Sequence, residues 1–63
     1  EYSMEYINST LQMYNFMVCN DNNNEGFVLE KYYPRTGFIE KTYRGFSSPT
    51  DAYNTAIAII TLD

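Results

Sequence analysis

The run FVLEKYYPRTGFIEKTYR, Phe27 to Arg44, decides the fold of this chain. Its two arms alternate at the period of a strand. Phe27, Leu29, Lys31 and Tyr33 fall on one side of the first arm, with Val28, Glu30 and Tyr32 on the other. The second arm, Phe38 to Arg44, sets Ile39, Lys41 and Tyr43 against Phe38, Glu40 and Thr42. Between the arms stands Pro34-Arg35-Thr36-Gly37, where proline presets φ early in a turn and glycine takes a left-handed position after it. The reading is a tight antiparallel hairpin.

Upstream, Asp21 to Gly26, DNNNEG, is a loop of residues that tolerate left-handed backbone, and it predicts a second hairpin. The strand before it is expected in Leu11 to Asn20, LQMYNFMVCN. Leu11, Met13, Met17 and Cys19 would point one way and Tyr14, Phe16 and Val18 the other, an apolar strand that asks for cover on both faces. Residues Glu1 to Ser9 fit a helical turn or an extension of that strand equally well. Downstream, Gly45 reads as a break. Ser48-Pro49-Thr50-Asp51 then reads as a helix start, with serine at the N-cap, proline at N1 and a carboxylate at N3. Tyr53, Ala56, Ile57 and Ile60 make one apolar stripe beyond it; the competing reading makes Ile57 to Leu62 a fourth strand. The expected fold is one α+β domain over 1–63, a three-stranded antiparallel meander with one C-terminal helix.

Composition narrows function by subtraction. The 63 residues contain no histidine and one cysteine, so triads built on histidine are excluded, and neither an intrachain disulfide nor paired thiolates for zinc can form. A carboxylate pair doing acid/base chemistry finds little room in so small a chain. The expectation is a binding protein, not an enzyme, and one that needs no cofactor. Eight acidic against four basic residues also argue against direct nucleic-acid binding, which needs positive charge facing phosphate. No long apolar run and no basic leader followed by a hydrophobic segment is present, so a soluble, cytoplasmic protein with no membrane partner is expected.

Size adds a further expectation. An extended chain of this mass exposes ~10,700 Å², and burying ~60% of it, ~60% apolar, returns ~95 kcal/mol. Ordering the chain costs about the same at ~1.5 kcal/mol per residue. Self-association is the obvious additional source of stability, and a homodimer is expected through the uncovered sheet face or a strand edge. Tyr32, Tyr33, Phe38, Tyr43, Phe46 and Tyr53 offer more ring area than the core can enclose, so some should line an interface or a pocket. Other features weigh toward bland roles: Asn8-Ser9-Thr10 matches a glycosylation acceptor only by pattern, Cys19 reads as a small buried hydrophobe, and the Asp21 to Glu25 loop lacks the spacing of a calcium loop.

The tract GFIEKTYRGFSSPTDAYNTA, Gly37 to Ala56, has a tyrosine-bearing strand ending in a basic residue, then glycine, a bulky apolar residue, serine and an acid-bearing helix with an aromatic. In this it resembles the small acidic uracil-DNA glycosylase inhibitors of Bacillus phages. The resemblance covers about a third of the chain. It implies a cytoplasmic protein of an infected bacterial host, dimeric, which blocks the DNA-binding groove of uracil-DNA glycosylase or another DNA-processing enzyme. Carboxylates would stand where phosphates lie, and an apolar pocket would seize the side chain that the enzyme inserts into DNA. On that reading Glu30, Glu40 and Asp51 mimic phosphates, while Tyr32, Tyr43, Phe46 and Tyr53 form the pocket. The chain departs from the family in its long segment before the hairpin and in lacking an evident strand after the helix. The alternative is an acidic homodimeric module that acts as an adaptor or inhibits some other host enzyme.

Overall fold

The computed structural model describes residues 1–62. Along the chain come α1 (Met4–Leu11), a 3-10 turn (Gln12–Tyr14), β1 (Phe16–Asn20), β2 (Phe27–Tyr32), β3 (Ile39–Phe46) and α2 (Pro49–Leu62). The strands form one antiparallel sheet in the order β1-β2-β3. The α+β class and the meander are as expected; α1 is an addition.

The first strand is shorter than the apolar run suggests. Ser3 caps α1, its Oγ accepting from Tyr6 N at 3.1 Å, and Met4, Ile7 and Leu11 then recur at helical spacing. Asn15 turns the chain with φ 66°, a left-handed position that asparagine tolerates, so β1 starts only at Phe16. Leu11 is therefore a helix residue in the core, and Met13 and Tyr14 are exposed.

Both hairpins form where turn chemistry places them. Asp21 N donates to Gly26 O at 3.0 Å and closes the asparagine loop. Gly26 has φ +104°, and a Cβ there would stand 2.6 Å from Phe46 O, so no other residue fits without movement. In the second turn Gly37 N donates to Tyr33 O, and Tyr33 N to Phe38 O. Gly45 does not end β3: it sits inside the strand at φ +91°, beside the register shift between Phe27 and Leu29, where it carries a bulge.

Residues 57–62 are helical. The α2 start is built from Ser48 Oγ accepting from Asp51 N at 3.2 Å and Ser47 Oγ donating to Asp51 Oδ2 at 2.9 Å. Ala52 and Ala56 are the wholly buried positions of α2, while Tyr53, Ile57, Ile59 and Ile60 pack around them half-buried. The core joins Ile7 and Leu11 of α1, Phe16 and Val18 of β1, Leu29 of β2 and these alanines. It occupies one side of the sheet. The accessible surface, 4506 Å², slightly exceeds the ~4,200 Å² usual for this mass.

One side chain fastens α1 to the sheet. Asn8 Nδ2 donates to Val18 O at 2.9 Å and Asn8 Oδ1 accepts from Val18 N at 2.8 Å, so the amide pairs with the outer edge of β1 as a strand would. Asn8 is thereby committed to a structural task. Asn8→Leu keeps the volume but orphans both Val18 groups, and it should lower stability by about 1–2 kcal/mol. A denaturant midpoint unchanged from the parent would show that the clasp contributes nothing.

Candidate functional site

Alternation along β2 separates the expected site residues. Leu29 is buried in the core and pairs with Tyr43, so Tyr43 lies on the helix side of the sheet. Tyr32 and Glu30 lie on the other side. There Tyr32 Oη donates to Glu30 Oε1 at 2.5 Å and stands 3.9 Å from Met17 Sδ. Phe46 and Tyr53 pack half-buried against the core. The four rings expected to form a pocket are therefore split between the two sides of the sheet, for the reason that neighbours along a strand alternate.

The carboxylates are dispersed as well. Glu30 is half-buried on the open side, Glu40 is exposed where the register shifts between Lys31 and Tyr32, and Asp51 sits exposed at the start of α2. Two hollows in the surface draw on other residues, with Phe46 alone shared with the expected set. One, of about 270 Å³, lies between Tyr14, Phe16 and Lys31 and the last turns of α2 at Ile59 and Ile60. The other, of about 350 Å³, is lined by Glu25, Gly26, Gly45, Phe46 and Ser47.

Two surfaces are left as candidates for recognition. The first is the open side of the sheet, carrying Met17, Cys19, Glu30, Tyr32, Ile39 and Thr42. Met17 and Ile39 are exposed, while Cys19 is half-buried and not enclosed as expected. The thiol of Cys19 is pushed up by burial and then by the Glu30 carboxylate beside it. At the end of this surface Asp21 is held below the usual carboxylate range by the Asn23 backbone N–H, opposed by desolvation, with Arg44 Nη1 at 3.2 Å assisting.

The second surface is on the helices, and its residues escape a reading that looks only at the hairpin. Tyr2 stacks on Tyr6 with centroids 5.0 Å apart and meets Tyr53 edge-on at 5.3 Å. Tyr2 and Tyr6 are about half exposed. Desolvation, then the neighbouring Tyr6 and Tyr2, raise the Tyr53 pKa. Glu1, Glu5 and Asp51, all exposed, lie within two positions of these rings in the chain. Ser3 at an N-cap ahead of Tyr6 is the signal that would have placed them on a helix.

Charge divides along the same line. All four basic residues, Lys31, Arg35, Lys41 and Arg44, fall within the hairpin Phe27 to Arg44, and six of the eight carboxylates fall outside it. Among the described residues the one ion pair is Arg44 with Asp21. Lys31 and Lys41 face each other across the strands and lie over rings, Lys31 Nζ 5.5 Å from the Phe16 centroid and Lys41 Nζ 5.2 Å from that of Tyr43. No helix of the described chain is long and apolar enough to cross a membrane.

No protein-family model matches the chain, and comparison with curated proteins and with solved structures returns no similar one.

The Glu30 contact makes Tyr32 a reporter of the open side. Its phenol is pushed up from 10.0 to about 12, first by the hydrogen bond to Glu30, then by desolvation and by the Glu30 charge. A raised folded pKa means that the stabilisation is fully present below about pH 10 and is lost as pH rises through about 12. The difference in ultraviolet titration between the parent and Tyr32→Phe should show this late phenol. Glu30→Gln should move it back toward the ordinary value; an unmoved titration would mean that the pair does not persist in solution.

Proposed function

We propose that this chain is a stoichiometric protein inhibitor that occupies the basic groove of a DNA-processing enzyme, with uracil-DNA glycosylase the first target to try. The observation that carries the reading is the separation of charge. A helix surface with carboxylates, no basic residue and three clustered tyrosines suits a groove shaped for phosphates and bases. Tyrosine presents rigid contact area with a polar tip, which interfaces favour.

On this reading the binding surface keeps Asp51 and Tyr53 from the expected set and adds Glu1, Glu5, Tyr2 and Tyr6. Glu40 stands among the basic residues of the hairpin, next to Lys41 in the chain and away from the helices. Glu30 faces the open side and is engaged with Tyr32. Binding requires no cofactor, and the protein works in the compartment where the enzyme works, the cytoplasm of a bacterial host.

The test is uracil excision by a bacterial uracil-DNA glycosylase with and without the protein, paired with size-exclusion of the mixture. Loss of activity at near-equimolar protein with a co-eluting complex is expected. Glu5→Gln and Asp51→Asn should slow association several-fold at low salt and less at high salt, while Glu40→Gln should change it little. Tyr6→Ala should speed dissociation by about tenfold if the ring is a hot spot. Full enzyme activity at excess protein would discard the named target. A complex indifferent to the helix variants would move the surface elsewhere.

A further inference from the structure

We propose that the hollow at the last turns of α2 binds a small alkyl carboxylate, its chain against Phe16, Ile59 and Ile60 and its anionic head between Lys31 and Lys41. The site lies at the far end of α2 from Asp51 and Tyr53, and the inference does not depend on the inhibitor reading.

Two neighbouring rungs of the sheet define it. Val18, Leu29 and Tyr43 stand opposite one another on the helix side, where Val18 and Leu29 belong to the core. Two residues along each strand, with no shift of register between, stand Phe16, Lys31 and Lys41. This second rung therefore faces the helix side as well. Its Phe16 is buried, but the two places beside it hold ammonium groups, Lys31 Nζ over the Phe16 ring and Lys41 Nζ over that of Tyr43. Like charges directly opposite across strands repel. Among the described residues neither lysine meets a carboxylate, since the one ion pair is Arg44 with Asp21.

The hollow opens over this rung. Its volume of about 270 Å³ falls just below the ~300 Å³ at which small-molecule sites begin, so its ligand is small. Phe16 and the half-buried Ile59 and Ile60 give it apolar walls, Tyr14 forms the exposed rim, and Lys31 is the charged residue of the lining. Apolar walls with one polar group to fix orientation are the usual make-up of a ligand site. An alkyl carboxylate answers both parts. Its head supplies the negative charge that Lys31 and Lys41 lack, and its chain takes Phe16, Ile59 and Ile60 out of water. A bare anion answers only the first part, and an alkylamine adds a third positive charge.

The experiment is an NMR titration of the full chain with sodium octanoate at low salt, following backbone amides and isoleucine methyls. Saturating shifts centred on Phe16, Lys31, Ile59 and Ile60 are expected, with a Kd of about 1 mM or below. Acetate and octylamine at the same concentrations should leave these signals in place. Lys31→Gln and Lys41→Gln should each weaken octanoate binding by about fivefold and together by more, while Lys31→Arg should keep it. Absence of saturation by about 10 mM octanoate would overturn the inference. So would octylamine binding as well as octanoate, or shifts centred on Met17 and Ile39 of the open side. A double glutamine variant that binds octanoate like the parent would overturn it too, and would leave the lysines serving only the carbonyl end of α2. If Lys31→Gln fails to fold, Lys41→Gln, on an exposed residue, decides the matter alone.

Discussion

The close seating of α2 on the sheet governs the rest of the molecule. Ala52 and Ala56 are fully buried, and their small side chains allow the helix backbone to approach the strands, leaving Tyr53, Ile57, Ile59 and Ile60 to reach around the contact. That approach encloses Leu29 and Val18 completely. Helix α1 then fills the remaining space with Ile7 and Leu11, so one core is satisfied on a single side of the sheet. A chain this short has no third layer to offer, which is why Met17 and Ile39 stay open on the other side.

The elements legible beforehand were those fixed by local chemistry. The loop Asp21 to Gly26, the turn Pro34 to Gly37 and the Ser48 cap all depend on residues whose preferences act within a few positions. The stripe of α2 was legible too, since Tyr53, Ala56, Ile57 and Ile60 all meet the core, and of its wholly buried positions only Ala52, ahead of the stripe and too small to stand out, was missed. Leu11 misled. It is as apolar as a strand residue should be, and only Ser3, capping the far end of the helix that Leu11 closes, marks the stretch as helical. Gly45 shows a different limit. Its positive φ fits a break and a bulge alike, and the choice between them is made by β2, a distant segment.

The expected site fared less evenly, and the reason is geometric. Residue type pointed to aromatics and carboxylates in the hairpin, but a strand sends alternate side chains to opposite sides, so closeness in the chain does not gather Tyr32 with Tyr43. Helices gather instead. Tyr2, Tyr6 and Tyr53 meet because α1 and α2 lie side by side, a contact that no local pattern announces. Charge was legible in total and not in distribution. The net value is modest, yet the basic residues are confined to one hairpin, giving the molecule a polarity that a net value conceals.

The Asn8 amide has a consequence for how far any strand pairing can spread. A sheet with two free edges can add copies without limit, the geometry from which fibres grow. Here the middle of the β1 edge is taken from within by a side chain of α1, so a strand arriving along β1 finds the Val18 pair of backbone groups already bonded. Growth along β1 is opposed at that point. An asparagine in a short helix thus guards a sheet edge as well as fixing the place of the helix.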